Sequence, residues 1–145
     1  MISPLRPKAV AADLSVVLTD DDGMLRRLIG LLLGEAPGYQ VVGEASDAEQ
    51  CVTVVRALQP DVVLLDLELP GTSGLDVLPQ LRVASPGSLV IVLSGHGRDL
   101  MAARTAERGA DGYLEKWSLG TDLVPTLTRA VAAGRARRLA PAVLG

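Results

Sequence analysis

Five short apolar runs punctuate the chain, each followed by a stretch whose apolar residues recur at helical spacing. The runs are Ser15-Val-Val-Leu-Thr19, Gln40-Val-Val-Gly-Glu-Ala45, Asp61-Val-Val-Leu-Leu-Asp66, Leu89-Val-Ile-Val-Leu-Ser94 and a weaker Asp111-Gly-Tyr-Leu114. Their β-branched content and near-continuous hydrophobicity predict parallel strands buried on both faces. Between the first two, Met24, Leu25, Leu28, Ile29, Leu32 and Leu33 fall on one helical pattern. Ser46-Asp-Ala-Glu49 reads as a capping box opening a second helix, and Pro37-Gly38 and Gln59-Pro60 supply stops. A third helix is expected over about 73–84, with Pro79 inside it as a potential kink. A fourth is expected over about 98–108, ending at Gly109, and a fifth over about 119–138, with Pro125 early enough to be tolerated. Strands alternating with helices predict an α/β fold with one parallel sheet covered on both faces.

Composition narrows the setting. At 145 residues, 48% hydrophobic and 21% charged with a net charge of -3, the chain suits one compact domain. That domain is placed at 14–138, between an N-terminal tail over 1–13 and a tail or linker remnant over 139–145. The charge argues against binding nucleic acid by electrostatics alone, and three arginines at the end, Arg135, Arg137 and Arg138, read as a solvated helix terminus. The lone cysteine, Cys51, excludes an internal disulfide, sits at helical spacing among Ala48, Val52 and Val55, and suits a cytoplasmic location. No segment approaches the ~18 apolar residues of a membrane span, and the proline-broken N-terminus does not read as a secretory signal.

The chemistry collects at the strand ends. In an open parallel sheet the working site lies at the carboxyl edge, where the strand order reverses. The first strand ends in Asp20-Asp21-Asp22, the third in Asp66 and the fourth in Ser94, and the fifth is followed by Lys116. Clustered carboxylates repel one another unless a cation joins them, and oxygen ligands favour a hard ion such as Mg²⁺. A carboxylate is also a competent nucleophile for an aspartyl-phosphate, whose formation needs mainly positioning and charge neutralisation. Of 14 lysines and arginines only Lys8 and Lys116 are lysines, which singles out the compact ammonium at the fifth strand.

Each residue has a plainer reading when taken alone. The acids after strand one could cap a helix, Asp66 could serve the following Pro-Gly turn, and Ser94, Glu68, Tyr113 and Lys116 are ordinary loop, surface or packing residues. Their joint placement at one rim favours the functional reading.

Four segments carry a resemblance to a known family. Val17-Leu-Thr-Asp-Asp-Asp-Gly-Met-Leu-Arg26, Asp61-Val-Val-Leu-Leu-Asp-Leu-Glu-Leu-Pro-Gly-Thr-Ser-Gly74, Leu93-Ser-Gly95 and Gly109-Ala-Asp-Gly-Tyr-Leu-Glu-Lys116 resemble, in order and spacing, the acidic-pair, phosphoacceptor, hydroxyl and aromatic-lysine segments of response-regulator receiver domains of two-component signalling. The resemblance covers about 15–135. It implies a flavodoxin-like (βα)5 three-layer sandwich with strand order 2-1-3-4-5. It implies Asp66 as phosphoacceptor, a Mg²⁺ held by Asp20, Asp21, Asp66 and the backbone carbonyl of Glu68, and Ser94, Lys116 and Tyr113 as phosphate-binding and switch residues. The phosphoryl group would come from a sensor histidine kinase or phosphotransfer protein. The face built from helix four, strand five and helix five would carry the output, and any homodimer. No enzyme in the ordinary sense is implied, because the only chemistry is the domain's own phosphorylation and dephosphorylation.

Departures from the family pattern also matter. Trp117 stands where a proline usually follows the lysine, Gly95 replaces a commoner alanine, and Glu68 adds a negative side chain near the site. His96, the only histidine, lies two residues past Ser94. Ala133 to Ala142 resembles the linker before the helix-turn-helix domain in one branch of transcriptional regulators. Too few residues follow Lys116 for such a domain, so no DNA binding is expected of this chain alone. A haloacid-dehalogenase-type hydrolase would want an aspartate at position 68 and a cap domain. A nucleotide module would want a Gly-x-Gly-x-x-Gly after strand one. A receiver that only docks would not need the acid, hydroxyl and lysine set.

Overall fold

The computed structural model describes residues 13–95, 98–116 and 122–139, with backbone alone for 98–101. The elements run β1 (Leu14–Thr19), α1 (Gly23–Gly34), β2 (Tyr39–Ala45), α2 (Ala48–Leu58), β3 (Val62–Asp66), α3 (Gly74–Ala84), β4 (Leu89–Ser94), α4 (Arg98–Glu107), β5 (Gly112–Glu115) and α5 (Leu123–Leu139). The five strands form one parallel sheet of order β2-β1-β3-β4-β5, the flavodoxin-like arrangement expected. A small antiparallel hairpin, Glu68–Leu69 against Thr72–Ser73, was not foreseen. It folds the Pro70-Gly71 turn with Gly71 at φ +74.

The alternation within β3 splits the core in two. Val62 and Leu64 join Ile29, Leu33, Leu127 and Val131 under α1 and α5. Val63 and Leu65 join Cys51, Val55, Val77 and Leu81 under α2 and α3. Every residue of β3 is buried, and each such Val or Leu contributes roughly 1.5–3 kcal/mol on removal from water. That burial fixes the register which lines up the strand ends.

Several local expectations shift. The cap of α2 is Asp47, one residue later than the Ser46 box. Its carboxylate accepts from Gln50 N (2.8 Å), while Ser46 N and Oγ donate to Gln50 Oε1 (2.9 and 3.0 Å). An aspartate oxygen reaches the N3 amide as well as a serine would, and the glutamine closes the box from outside. Pro79 does not interrupt α3. The Leu75 carbonyl it deprives of an amide lies 3.4 Å from Arg108 Nη1. Gln59 ends α2 in the left-handed region at φ 48. Its side chain offsets that strain of about 1 kcal/mol by donating to Ala84 O (2.8 Å) and Arg56 O (2.9 Å). Among described residues α5 begins at Leu123 and includes Leu139, which the sequence reading gave to the tail. The remaining tail residues 1–12 and 140–145, with His96 and Trp117, lie outside the described residues.

Candidate functional site

β1 lies between β2 and β3, so the crevice between the ends of β1 and β3 is where strand order reverses. Asp20 follows β1 and Asp66 ends β3. Both side chains are almost fully buried, at 2% and 0% exposure. Lys116, just past β5, reaches across β4 to them. Its Nζ lies 3.0 Å from Asp66 Oδ1 and 3.5 Å from Asp20 Oδ2.

Backbone amides hold the two carboxylates in place. Asp22 N donates to Asp20 Oδ1 (2.9 Å) and Glu68 N to Asp66 Oδ1 (2.8 Å). The other oxygens, Asp20 Oδ2 and Asp66 Oδ2, are buried and accept no hydrogen bond from any described residue. Carboxylate oxygens, one each from Asp20, Asp66 and the exposed Asp21, lie within 4.8 Å of one another. Buried anionic oxygens left without donors are costly, and an all-oxygen set of this kind fits a hard divalent cation. Burial pushes the Asp20 carboxyl above the usual range. The Asp22 amide and Lys116 oppose the rise, and the neighbouring Asp66 adds to it. Burial pulls the Lys116 ammonium down. The hydrogen bond and charge of Asp66, with the charges of Asp20 and Glu68, outweigh it and hold its pKa above the ordinary lysine value.

The third acid of the run has a separate task. Asp22 caps α1, accepting from Met24 N (3.0 Å) and Leu25 N (3.2 Å). Ser94 ends β4 fully buried, paired in register with Glu115. Tyr113 is half-buried on β5, in register with Val92, and packs against the cluster under α2 and α3. Glu68 lies in the hairpin, exposed. Its two carboxylate oxygens would be 3.9 and 4.0 Å from a Cβ at Gly95, which places it over the turn after Ser94.

Two contributors were missed from sequence. Arg26 donates through Nη1 to Asp20 O (2.5 Å) and through Nε to Glu44 Oε1 (3.0 Å), tying α1 and β2 to the acidic turn. Gly74 admits no side chain: a Cβ there would sit 2.7 Å from Leu67 Cα and 3.0 Å from Asp66 O. The Gly in the Pro-Gly-x-x-Gly pattern hinted at the second, whereas nothing in the sequence marked Arg26.

Comparison with known proteins agrees with this geometry. Residues 16–128 match the response regulator receiver domain. The nitrate/nitrite response regulator protein NarL of Escherichia coli K12 is 42% identical over 120 residues, covering 81% of this chain and 55% of that protein. The chain thus spans about half the length of the curated relatives it matches. Among solved structures, the signal receiver domain of the putative response regulator NarL from Mycobacterium tuberculosis superposes with a TM-score of 0.77 at 29% identity, covering 84% of this chain and 98% of that one. A LuxR-family two-component response regulator from Aurantimonas sp. SI85-9A1 also gives 0.77, at 30% identity, covering 83% and 86%.

Proposed function

The chain belongs to the response regulator receiver domain family of two-component systems, and from that premise we propose that it is a switch driven by phosphorylation of Asp66. The observation that carries this reading is the Lys116 ammonium 3.0 Å from Asp66 Oδ1, beside two buried carboxylate oxygens that accept no hydrogen bond from the described residues. Asp20, Asp21 and Asp66, with the backbone carbonyl of Glu68, would hold Mg²⁺. Bound there, it would neutralise the carboxylates and the oxygens of an incoming phosphoryl group.

The chain's own groups do the rest. The Asp66 carboxylate, oriented by Glu68 N, attacks the phosphorus of a phosphohistidine on a sensor kinase or phosphotransfer protein. The O–P bond forms as the P–N bond breaks, and the imidazole nitrogen keeps the electron pair. Lys116 pairs with one phosphoryl oxygen and the Ser94 hydroxyl donates to another. Drawing Ser94 toward the phosphate frees space along β4 for Tyr113 to turn inward, and the α4-β5-α5 face changes shape. Water later hydrolyses the acyl phosphate. The domain acts only on itself, so it is not an enzyme with a released product of its own. Among described residues no helix is long and apolar enough to cross a membrane, and the free, buried Cys51 suits a reducing, cytoplasmic setting.

Intact-mass measurement after incubation with Mg²⁺ and acetyl phosphate tests the proposal. One base-labile phosphoryl group, absent from Asp66→Asn, is the expected outcome. No gain under conditions that label another receiver would overturn it.

A further inference from the structure

The guanidinium of Arg26 addresses the backbone of the acidic turn and not its carboxylates. Nη1 donates to the Asp20 carbonyl (2.5 Å), while Nε donates to Glu44 Oε1 (3.0 Å) on the edge strand β2. Among described residues that carbonyl accepts no backbone amide. It precedes the cap of α1, and the amides of Met24, Leu25 and Arg26 are already taken by Asp22. A Cβ at Gly23 would lie 3.7 Å from Arg26 Nη2, so the guanidinium folds back over the start of the helix. Glu44 orients the fork from its far side and balances its charge.

We infer that Arg26 is a positioning residue for the metal site: by pinning the peptide between Asp20 and Asp21 it sets where both acids present their oxygens to Mg²⁺. This rests on the Mg²⁺-dependent switch proposed above. Asp20 has further holds. Its amide donates to Ala45 O (3.1 Å), and its Oδ1 accepts from Asp22 N (2.9 Å). Asp21 lacks such holds. Its side chain is exposed, and no described residue bonds to its carboxylate. One of its oxygens nevertheless lies within 4.8 Å of oxygens of Asp20 and Asp66. An aspartate without a partner is aimed by its backbone, and the peptide on the amino side of Asp21 is the one that Arg26 grips.

Charge and geometry give opposite signs. Counted as a charge, a guanidinium beside a cation site repels Mg²⁺, and its removal should tighten binding. Counted as a tether, it orients the ligands, and groups that do so are worth about 10- to 100-fold in metal affinity. Glu44 already balances the charge, so the tether outweighs the repulsion. Arg27 supplies the comparison. It is exposed on the same turn of α1 and bonds to no described residue. Lysine is a poor replacement at 26, because a compact ammonium does not span the Asp20 carbonyl and Glu44 as the planar fork does.

Titrating Mg²⁺ into the full chain while following the amide resonances of Asp20, Asp21 and Asp22 by NMR tests this. Arg26→Met should raise the Mg²⁺ dissociation constant about tenfold. Arg26→Lys should raise it less, and Arg27→Met should not raise it. Labelling by acetyl phosphate gives a second readout. In Arg26→Met the Mg²⁺ concentration for half-maximal rate should climb with the dissociation constant, and should change more than the rate at saturating Mg²⁺. An Arg26→Met protein that binds Mg²⁺ as tightly as the wild type, or more tightly, overturns the inference. So does a slower saturated rate with an unmoved half-maximal concentration. If the methionine variant does not fold, Arg26→Lys decides alone, and wild-type affinity there overturns the inference. A wild type that binds no Mg²⁺ and takes no phosphoryl group overturns the switch as a whole, whereas a labelled wild type with unmoved Arg26 variants overturns the role of Arg26 only.

Discussion

The Lys116 ammonium lies 3.0 Å from Asp66 Oδ1, and it is the one cation that reaches both buried carboxylates among the described residues. Removing it should leave two anions in a low-dielectric crevice. Losing one partner of a buried pair costs roughly 3 kcal/mol; with Lys116 about a fifth exposed, about 2 kcal/mol is expected for Lys116→Met. Saturating Mg²⁺ should recover much of that loss, because the cation would supply the missing charge. Urea denaturation with and without Mg²⁺ checks this. A variant as stable as wild type in chelator would show that Lys116 does not neutralise the pair.

Asp20 gives the opposite sign. Burial raises its carboxyl above the ordinary value, so its ionisation opposes folding. The associated stability is present at acidic pH and is lost as pH rises through the raised value. Asp20→Asn should therefore raise the melting temperature in chelator, by the equivalent of about 1 kcal/mol. It should also abolish most of the stabilisation expected from Mg²⁺ in the wild type, which would approach about 2.7 kcal/mol at a hundredfold excess over the dissociation constant. A thermal-shift titration of both proteins reads the two effects together. Equal Mg²⁺ shifts in both would remove Asp20 from the metal set.

Gly74 links the third helix to the strand that ends in Asp66. A methyl group there would lie 2.7 Å from Leu67 Cα and 3.0 Å from Asp66 O, backbone atoms that cannot yield as the end of a flexible side chain would. Gly74→Ala should cost about 2 kcal/mol, within the usual range for overpacking. It should also slow acetyl-phosphate labelling, since Leu67 follows Asp66 directly. Normal labelling in a folded variant would mean that the strand end tolerates the displacement.

The distribution of these groups explains what the sequence could disclose. The strand order and the rim were legible because β3 is an unbroken apolar run until Asp66, so the end of that run marked the strand end. Sequence order also exposed the acidic run. Residue chemistry could not divide the labour within that run, because Asp20, Asp21 and Asp22 are chemically identical, and only the resemblance to the family's acidic pair singled out Asp20 and Asp21. Only the turn shows Asp22 bonded to the α1 amides while Asp20 faces Lys116. The Glu68–Ser73 hairpin escaped because two-residue strands paired only through their backbone leave no side-chain pattern, and the one-residue shift of the α2 cap because Ser46 and Asp47 can each serve as the cap. Long-range polar contacts were invisible for a similar reason. Arg138 grips Asp111 through Nε and Nη2 at 3.0 and 3.1 Å, 27 residues apart in the chain, and no spacing rule marks such a pair.

Cys51 gives a prediction at alkaline pH. It is fully buried between α2 and the sheet, and the Thr19 hydroxyl donates to its sulfur (3.1 Å). Burial pushes the thiol up from 9.0 to about 11. The thiolate is the reactive form, so alkylation at neutral pH should proceed only through unfolding, at a rate that follows denaturant concentration. The same shift makes stability depend on pH. Below 9.0 the thiol is protonated whether the chain is folded or not, and the full stability is present. Between 9.0 and about 11 the unfolded chain ionises while the folded one does not, and stability falls by up to about 1.4 kcal/mol per pH unit. Cys51→Ala loses that component while keeping the other alkaline titrations. Chemical denaturation of both proteins at pH 8.5, 9.5 and 10.5 (about one unit apart across the window) isolates it. The wild-type curve should steepen relative to the variant above pH 9. Parallel curves would mean that the thiol ionises as readily inside the fold as outside it, and that the packing around α2 is looser than the structure shows.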